Sequence, residues 1–383
     1  MNSPFHNSSE YILSQVQDHL SRSLTGVPLL RALKGIHPID IKRALLESET
    51  LEEAKEAFES IEVTSPTLHE ILRDDNPVSS FWPFTRASAE TIANMSLGYS
   101  SVALLGTPTL FGLLGDRPES RTMLFESDDY FFPEGSVPGY VKCDLTLGLP
   151  HAYDDQFDLI VGDPPWYLDE YLTWLEIAVR IARPGGTVIF VLFPEGIRES
   201  AKREREAIFS FARDHFESFT QANGIVEYET PSFEQVQMIR NGISPINWRS
   251  AEIFTGHVRK TKTRSYRGKR SAAVNEWVER RLGCGRLFIK REPVHSTNFL
   301  EFADPRSRFL SSPSRRDAAR LRANVITSRG HGLRCNDPSR LISLLDSVKL
   351  FSDVNAYPDQ MESGARDLLR TVAADLWGRF ILI

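Results

Sequence analysis

Apolar residues near the start of the chain recur every three to four positions. Tyr11, Ile12, Val16 and Leu20 mark one amphipathic helix, and Leu29, Leu30, Leu33 and Ile36 mark a second before His37-Pro38 interrupts the pattern. Leu51, Ala54, Phe58 and Ile61 share one face of a third, strongly acidic helix, whose glutamates read as its solvated side. From Ser101 the texture changes to short apolar runs separated by turns and helices, the pattern of a parallel sheet covered on both faces. The predicted strands are Val102–Leu105, Thr122–Phe125, Tyr140–Cys143, Leu159–Val161 and Thr187–Phe193. A helix over Leu168–Ala182 ends in Arg183-Pro184-Gly185-Gly186, a stop signal, and a charged helix follows over Glu199–His215. Gly224–Glu229, Gln235–Arg240 and Glu252–Val258 read as strands closing the same sheet. Beyond them, helices over Ala273–Leu282, Pro338–Leu345 and Gly364–Trp377 mix with strands such as Arg286–Ile289 and Asn324–Thr327.

These patterns divide the chain into a helical N-terminal region (1–78), an α/β domain (79–258), and a basic linker with an α+β region (259–383). The expected fold is α/β: a Rossmann-like three-layer sheet with a helical N-terminal cap and an α+β C-terminal extension. At 383 residues, one catalytic core with additions at both ends is the natural size reading. No apolar run approaches the ~20 residues of a membrane span, so no membrane partner is expected. The polar start, Met1 to Glu10, lacks the layout of a secretory signal. Three scattered cysteines suit neither a disulfide framework nor a metal site, and a cytoplasmic setting follows. His295, His331 and Cys335 are isolated and read as structural, so no metal is expected.

The stretch from Phe157 to Tyr167 carries the chemistry. An apolar strand delivers Asp163 to the carboxyl edge of the sheet, where open α/β folds bind ligands, and Pro164-Pro165 then fixes the backbone ahead of Trp166. Asp-Pro alone is a common turn opener. Asp163-Pro164-Pro165-Trp166 after a hydrophobic strand, with a helix next and a Pro-Gly-Gly turn beyond, is far more specific. Transfer of a methyl group to an amine needs the nitrogen lone pair aimed in line at the methyl. A carboxylate (Asp163) and a backbone carbonyl (Pro164) can accept the amine's hydrogens, while Trp166 offers a stacking face.

Asp163-Pro164-Pro165-Trp166 matches the [DNS]PP[YFW] signature of methyltransferases acting on adenine N6 or cytosine N4. Residues 80 to about 258 more closely resemble the family named after N6-adenine methyltransferases, which includes lysine methyltransferases of translation elongation factor 1A. The resemblance rests on that motif, on Phe81-Trp82 with Thr91, on the run from Ala103 to Phe111, and on Leu124-Phe125-Glu126-Ser127-Asp128. It implies a class I fold and S-adenosylmethionine as cofactor. The loop after the first strand, Gly106-Thr107-Pro108-Thr109, has one glycine where class I loops are glycine-rich, a departure the family shares. On this resemblance Gly106 and Thr107 face the methionine part. Glu126, or Asp128 in its place, accepts the ribose hydroxyls at the end of the second strand, and Asp144 meets the adenine amino group. Phe81 and Trp82 cover the cofactor or pack the core.

The motif serves adenine N6 and a lysine amine equally. The segment Arg259–Arg270 interleaves basic residues with Tyr266 and favours a nucleic acid through phosphate contact and stacking. Arg306, Arg308, Arg315, Arg316, Arg320 and Arg322 add to it, although a solvated charged loop is the plainer reading of such a run. The net charge of −6 and the acidic N-terminal region suit a basic protein partner instead. The expected activity is methyl transfer to an exocyclic amine, first adenine N6 of DNA or RNA. A protein-lysine methyltransferase and a methyltransferase-like scaffold without turnover stand as alternatives.

Overall fold

The structure is a computed structural model that describes residues 9–22, 24, 26–33, 35–48, 51–52, 75–78, 81–114, 121–128, 137–259, 277–282, 285–310, 317–347 and 363–376. Its first sheet has seven strands: β1 (Ser101–Leu105), β2 (Arg121–Glu126), β3 (Tyr140–Lys142), β4 (Phe157–Gly162), β5 (Ala182–Leu192), β6 (Phe216–Glu227) and β7 (Ser250–Val258). Their order is β3-β2-β1-β4-β5-β7-β6, and β7 runs antiparallel to both its neighbours while the first five pair in parallel. This is a Rossmann-like arrangement. β1 is buried along its whole length and β4 nearly so, which is why both read as continuous apolar runs without alternation.

Helices α1 (Ser9–Leu20), α2 (Gly26–Ala32) and α3 (Pro38–Glu47) form the N-terminal region. The interruption at His37-Pro38 starts α3. His37 caps it, its Nδ1 accepting from the Ile39 amide at 3.1 Å, and Pro38 stands in the first turn where its missing N–H costs nothing. The expected acidic helix over Leu51–Ile61 lies, apart from Leu51 and Glu52, outside the described residues. α4 (Arg86–Met95) follows, capped by Thr85, and α5 (Pro108–Leu114) follows β1. α6 (Leu168–Ile181) and α7 (Ala201–His215) precede β5 and β6.

The stretch expected as a strand over Gln235–Arg240 is instead a helix, α8 (Ser232–Arg240). Pro231 presets the backbone ahead of its first turn, and Phe233, Val236 and Gln237 bury one helical face, a spacing the short apolar run concealed.

A second sheet of five strands joins β8 (Trp277–Leu282), β9 (Gly285–Lys290), β10 (Leu300–Phe302), β11 (Val325–Thr327) and β12 (Gly332–Cys335), in the order β10-β12-β11-β9-β8. With α9 (Ala318–Arg322), α10 (Pro338–Ser347) and α11 (Ser363–Leu376) it makes an α+β unit. The helix expected over Ala273–Leu282 is a strand from Trp277 onward, because antiparallel pairing of β8 with β9, Val278 opposite Ile289, overrides local propensity. Among the described residues no helix is long and apolar enough to cross a membrane, and no metal-binding cluster forms.

Candidate active site

The residues singled out in the sequence gather along one edge of the first sheet. Gly106, Asp144 and Asp163 follow β1, β3 and β4, and Glu126 ends β2. The ladder continues past the strand ends: Gly106 donates its amide to Phe125 at 3.0 Å, Cys143 to Glu126 at 2.9 Å and Asp163 to Leu105 at 3.2 Å. The four loop starts are thereby held level with one another.

At the motif, the Tyr228 hydroxyl donates to Asp163 Oδ1 at 2.8 Å. Asp163 Oδ2 and the Pro164 carbonyl accept no hydrogen bond among the described residues. Burial pushes the Asp163 carboxyl up to about 7, against the Tyr228 hydrogen bond and the Arg249 charge, which both favour the ionised form. Arg198 fixes the turn by donating to the Trp166 carbonyl at 2.9 Å while it pairs with Glu204.

An aromatic group surrounds this edge. The Arg249 guanidinium lies 3.6 Å from the Trp166 ring centre, 4.5 Å from Trp82 and 5.3 Å from Tyr228. Trp82 also meets Trp248 edge-on, with centroids 5.4 Å apart. Trp82 therefore stands on the motif's side of the site, with Phe81 half-buried before it. The Arg249 guanidinium donates no hydrogen bond to the described residues, and burial lowers its pKa. The N-terminal helices close over the same place. A Cβ on Gly35 would meet Trp166 at 3.2 Å, and His37 Nε2 bonds to Glu234 at 2.6 Å on α8.

Toward the other loops, Glu126 Oε1 accepts from the Ser127 amide (2.7 Å), the Ser127 hydroxyl (3.1 Å) and the Asp128 amide (3.0 Å). Its Oε2 has no partner among the described residues. Burial raises its pKa to about 7. Asp128 is committed elsewhere, accepting from Arg286 and Asn76. Asp144 caps a short 3-10 turn by accepting from Thr146. The Thr107 hydroxyl is buried without a partner among the described residues, and Gly106, with φ +62°, is covered by the Trp174 ring.

Tyr228, Arg249, Trp248, His37 and Glu234 escaped the sequence reading. Trp248-Arg249 was the available signal, but its place beside Asp163 depends on β6 and β7 pairing across the sheet. The basic segment Arg259–Arg270 lies outside the described residues apart from Arg259, which donates to the Arg213 carbonyl at 2.9 Å. Arg315 and Arg316 also lie outside them. Of the other later arginines, Arg320 is buried 4.9 Å from the Trp277 ring centre and Arg322 donates to the Ala303 carbonyl at 3.4 Å, so both serve the fold. His331 is buried, stacked on Phe309 and bonded to Thr327.

Residues 74–219 match the model of a family described as "Probable N6-adenine methyltransferase". No curated protein matches the chain. Among solved structures, the chain is similar to the branched-chain polyamine synthase C9 mutein from Thermus thermophilus at 14% identity, over 68% of this chain and 90% of that one, with a TM-score of 0.48. It is similar also to the YcgJ protein from Bacillus subtilis at 14% identity, over 46% and 100% of the two chains, with a TM-score of 0.33. The stretch that matches the family model, 74–219, carries the strand ends, the loops and Asp163-Pro164-Pro165-Trp166.

Proposed function

We propose that this domain transfers a methyl group from S-adenosylmethionine to an exocyclic amine, adenine N6 of DNA or RNA. The observation that carries the reading is the pair of open acceptors at the motif, Asp163 Oδ2 and the Pro164 carbonyl, beside the Trp166 ring. Two acceptors match the two hydrogens of an amino group and turn its lone pair outward. Arg249 favours a base over a lysine. A flat neutral base stacks on a guanidinium as it does on an indole, whereas a second cation at this place meets like charge in a site with little water to screen it.

The loops suit the cofactor. Glu126 Oε2 serves as acceptor for the ribose hydroxyls, and the Thr107 hydroxyl is a buried polar group in want of a partner. Asp128 and Asp144 are the weaker candidates, since their carboxylates already hold protein donors. When bound, the cofactor supplies an electrophilic methyl group. The protein's own part is to aim the amine and to keep water away with Trp82, Trp166 and Tyr228. Asp163 is placed to hold the proton that the methylated nitrogen releases, its pKa being close to neutrality.

Calorimetry with S-adenosylmethionine tests the reading, followed by labelled-methyl transfer to DNA, RNA and protein. Binding weakened by Glu126→Ala, with transfer to nucleic acid lost in Asp163→Ala, is the expected result. Binding with label entering only protein overturns the substrate, and no binding to folded protein overturns the enzyme.

A further inference from the structure

The second sheet reaches the cofactor loop through one side chain. Arg286, on β9, is 1% exposed. Its Nη2 donates to Asp128 Oδ1 at 2.9 Å and to Glu279 Oε2 at 2.8 Å, and its Nε donates to Glu279 Oε1 at 3.0 Å. Asn76 donates to the other Asp128 oxygen at 3.0 Å. Asp128, fixed on both oxygens, presents its own amide to Glu126 Oε1. A chain of contacts therefore runs from Glu279 on β8 through Arg286 and Asp128 to Glu126 at the end of β2.

We infer that Arg286 is a positioning residue for the cofactor, acting through Asp128 to hold Glu126 with one oxygen turned inward and the other open. This rests on Glu126 being the ribose acceptor proposed above. A buried ion pair adds little to stability relative to apolar packing, but removal of one partner strands the other charge. Glu279 keeps 36% of its side chain exposed and hydrates readily, whereas Asp128, at 7%, cannot. Loss of Arg286 thus falls on Asp128. Relief for that carboxylate comes from turning it toward solvent, which pulls its amide off Glu126. Glu126 Oε1 then keeps only its two Ser127 donors, and the less firmly held carboxylate loses part of its preorganisation for a vicinal diol.

The test is calorimetric titration of the full chain with S-adenosylmethionine and with 5′-methylthioadenosine, which keeps the ribose but lacks the amino-acid part. Arg286→Met should weaken both ligands about tenfold alike, and Arg286→Lys, which keeps the charge, should recover part of that. In an Asp128→Asn background, Arg286→Met should have no further effect, because the residue acts only through that contact. Asn324→Ala serves as the stability control. Asn324 is buried in the same unit and bonds to the Glu292 and Cys335 carbonyls, so the variant lowers the melting temperature and should leave both affinities unchanged. Wild-type affinity in both Arg286 variants overturns the inference, as does an equal loss of affinity in Asn324→Ala. A wild-type chain that binds neither ligand refutes the cofactor reading itself.

Discussion

Replacing Asp163 by Asn is expected to stabilise the fold at neutral and alkaline pH. Burial holds the folded carboxyl up at about 7, whereas in the unfolded chain it titrates near ~3.9. Between those values the folded protein keeps a proton that the unfolded chain has released, so stability falls as pH rises through the window and levels off above it. This is the reverse of a salt-bridged aspartate, whose stabilising contribution is lost as pH falls. About three units at ~1.36 kcal/mol each give an upper bound of about 4 kcal/mol. Asp163 retains partial exposure, and water screening reduces this to roughly 2–3 kcal/mol. The asparagine amide keeps an oxygen to accept from Tyr228 but has no charge to desolvate. Urea midpoints of both chains from pH 4 to 9 measure the effect. The advantage of Asp163→Asn should grow by that amount between pH 4 and pH 8. Glu126 carries the same sign of shift in both chains and cancels in the difference. Parallel stability profiles would show that the Asp163 carboxylate is not desolvated and refute the argument.

Gly106→Ala should destabilise by roughly 2–4 kcal/mol, since φ is +62° and the new Cβ would lie 2.6 Å from the Trp174 ring. Thermal melts should show that Trp174→Leu recovers the steric part alone, and full recovery would contradict a backbone contribution. Arg249→Leu removes the cation from the aromatic group, so competition assays should show a shift toward lysine-containing peptides relative to oligonucleotides. An unchanged ratio would remove Arg249 from substrate choice. For His37, burial lowers the pKa but the Glu234 charge and hydrogen bond outweigh it, so the net shift is upward. The Glu234 ion pair is therefore fully present below ~6.5 and is lost as pH rises through the raised folded value, whereas the cap on Ile39 belongs to the neutral ring. Proteolysis within α1 to α3 should accelerate from pH 6 to 9 in the wild type, and His37→Gln should flatten that profile.

The parallel half of the sheet was legible because β1 and β4 are buried on both faces and spell themselves as Ser-Val-Ala-Leu-Leu and Phe-Asp-Leu-Ile-Val-Gly. Asp163 was legible for a related reason: a strand, two prolines and an aromatic fix its backbone locally. Elements whose identity depends on a partner were not. Trp277–Leu282 alternates weakly and becomes a strand only against β9, and Ser232–Arg240 carries too few apolar residues to separate helix from strand by spacing. The carboxylates divided in the same way. Glu126 and Asp128 are two residues apart, and sequence spacing alone could rank them but not exclude either. The choice between them depends on Arg286, 158 positions beyond Asp128.

Three distant stretches of chain therefore converge on one edge of the sheet. Gly35 and His37 close over Trp166 and Glu234 from the N-terminal side. The strand ends bring Asp163 and Glu126 level. Arg286 takes up the second acidic side chain from the C-terminal side. The contacts of His37 and Arg286 each meet a carboxylate that is already buried, where a lost partner is most costly. A core cut to residues 74–219 would leave Trp166 without its cover, Asp163 without Tyr228, and Asp128 without its cation. The motif would survive such a cut, but the environment that raises Asp163 toward neutrality and orients Glu126 would not. The end regions belong to the site physically, although no chemistry can be read in their own sequence.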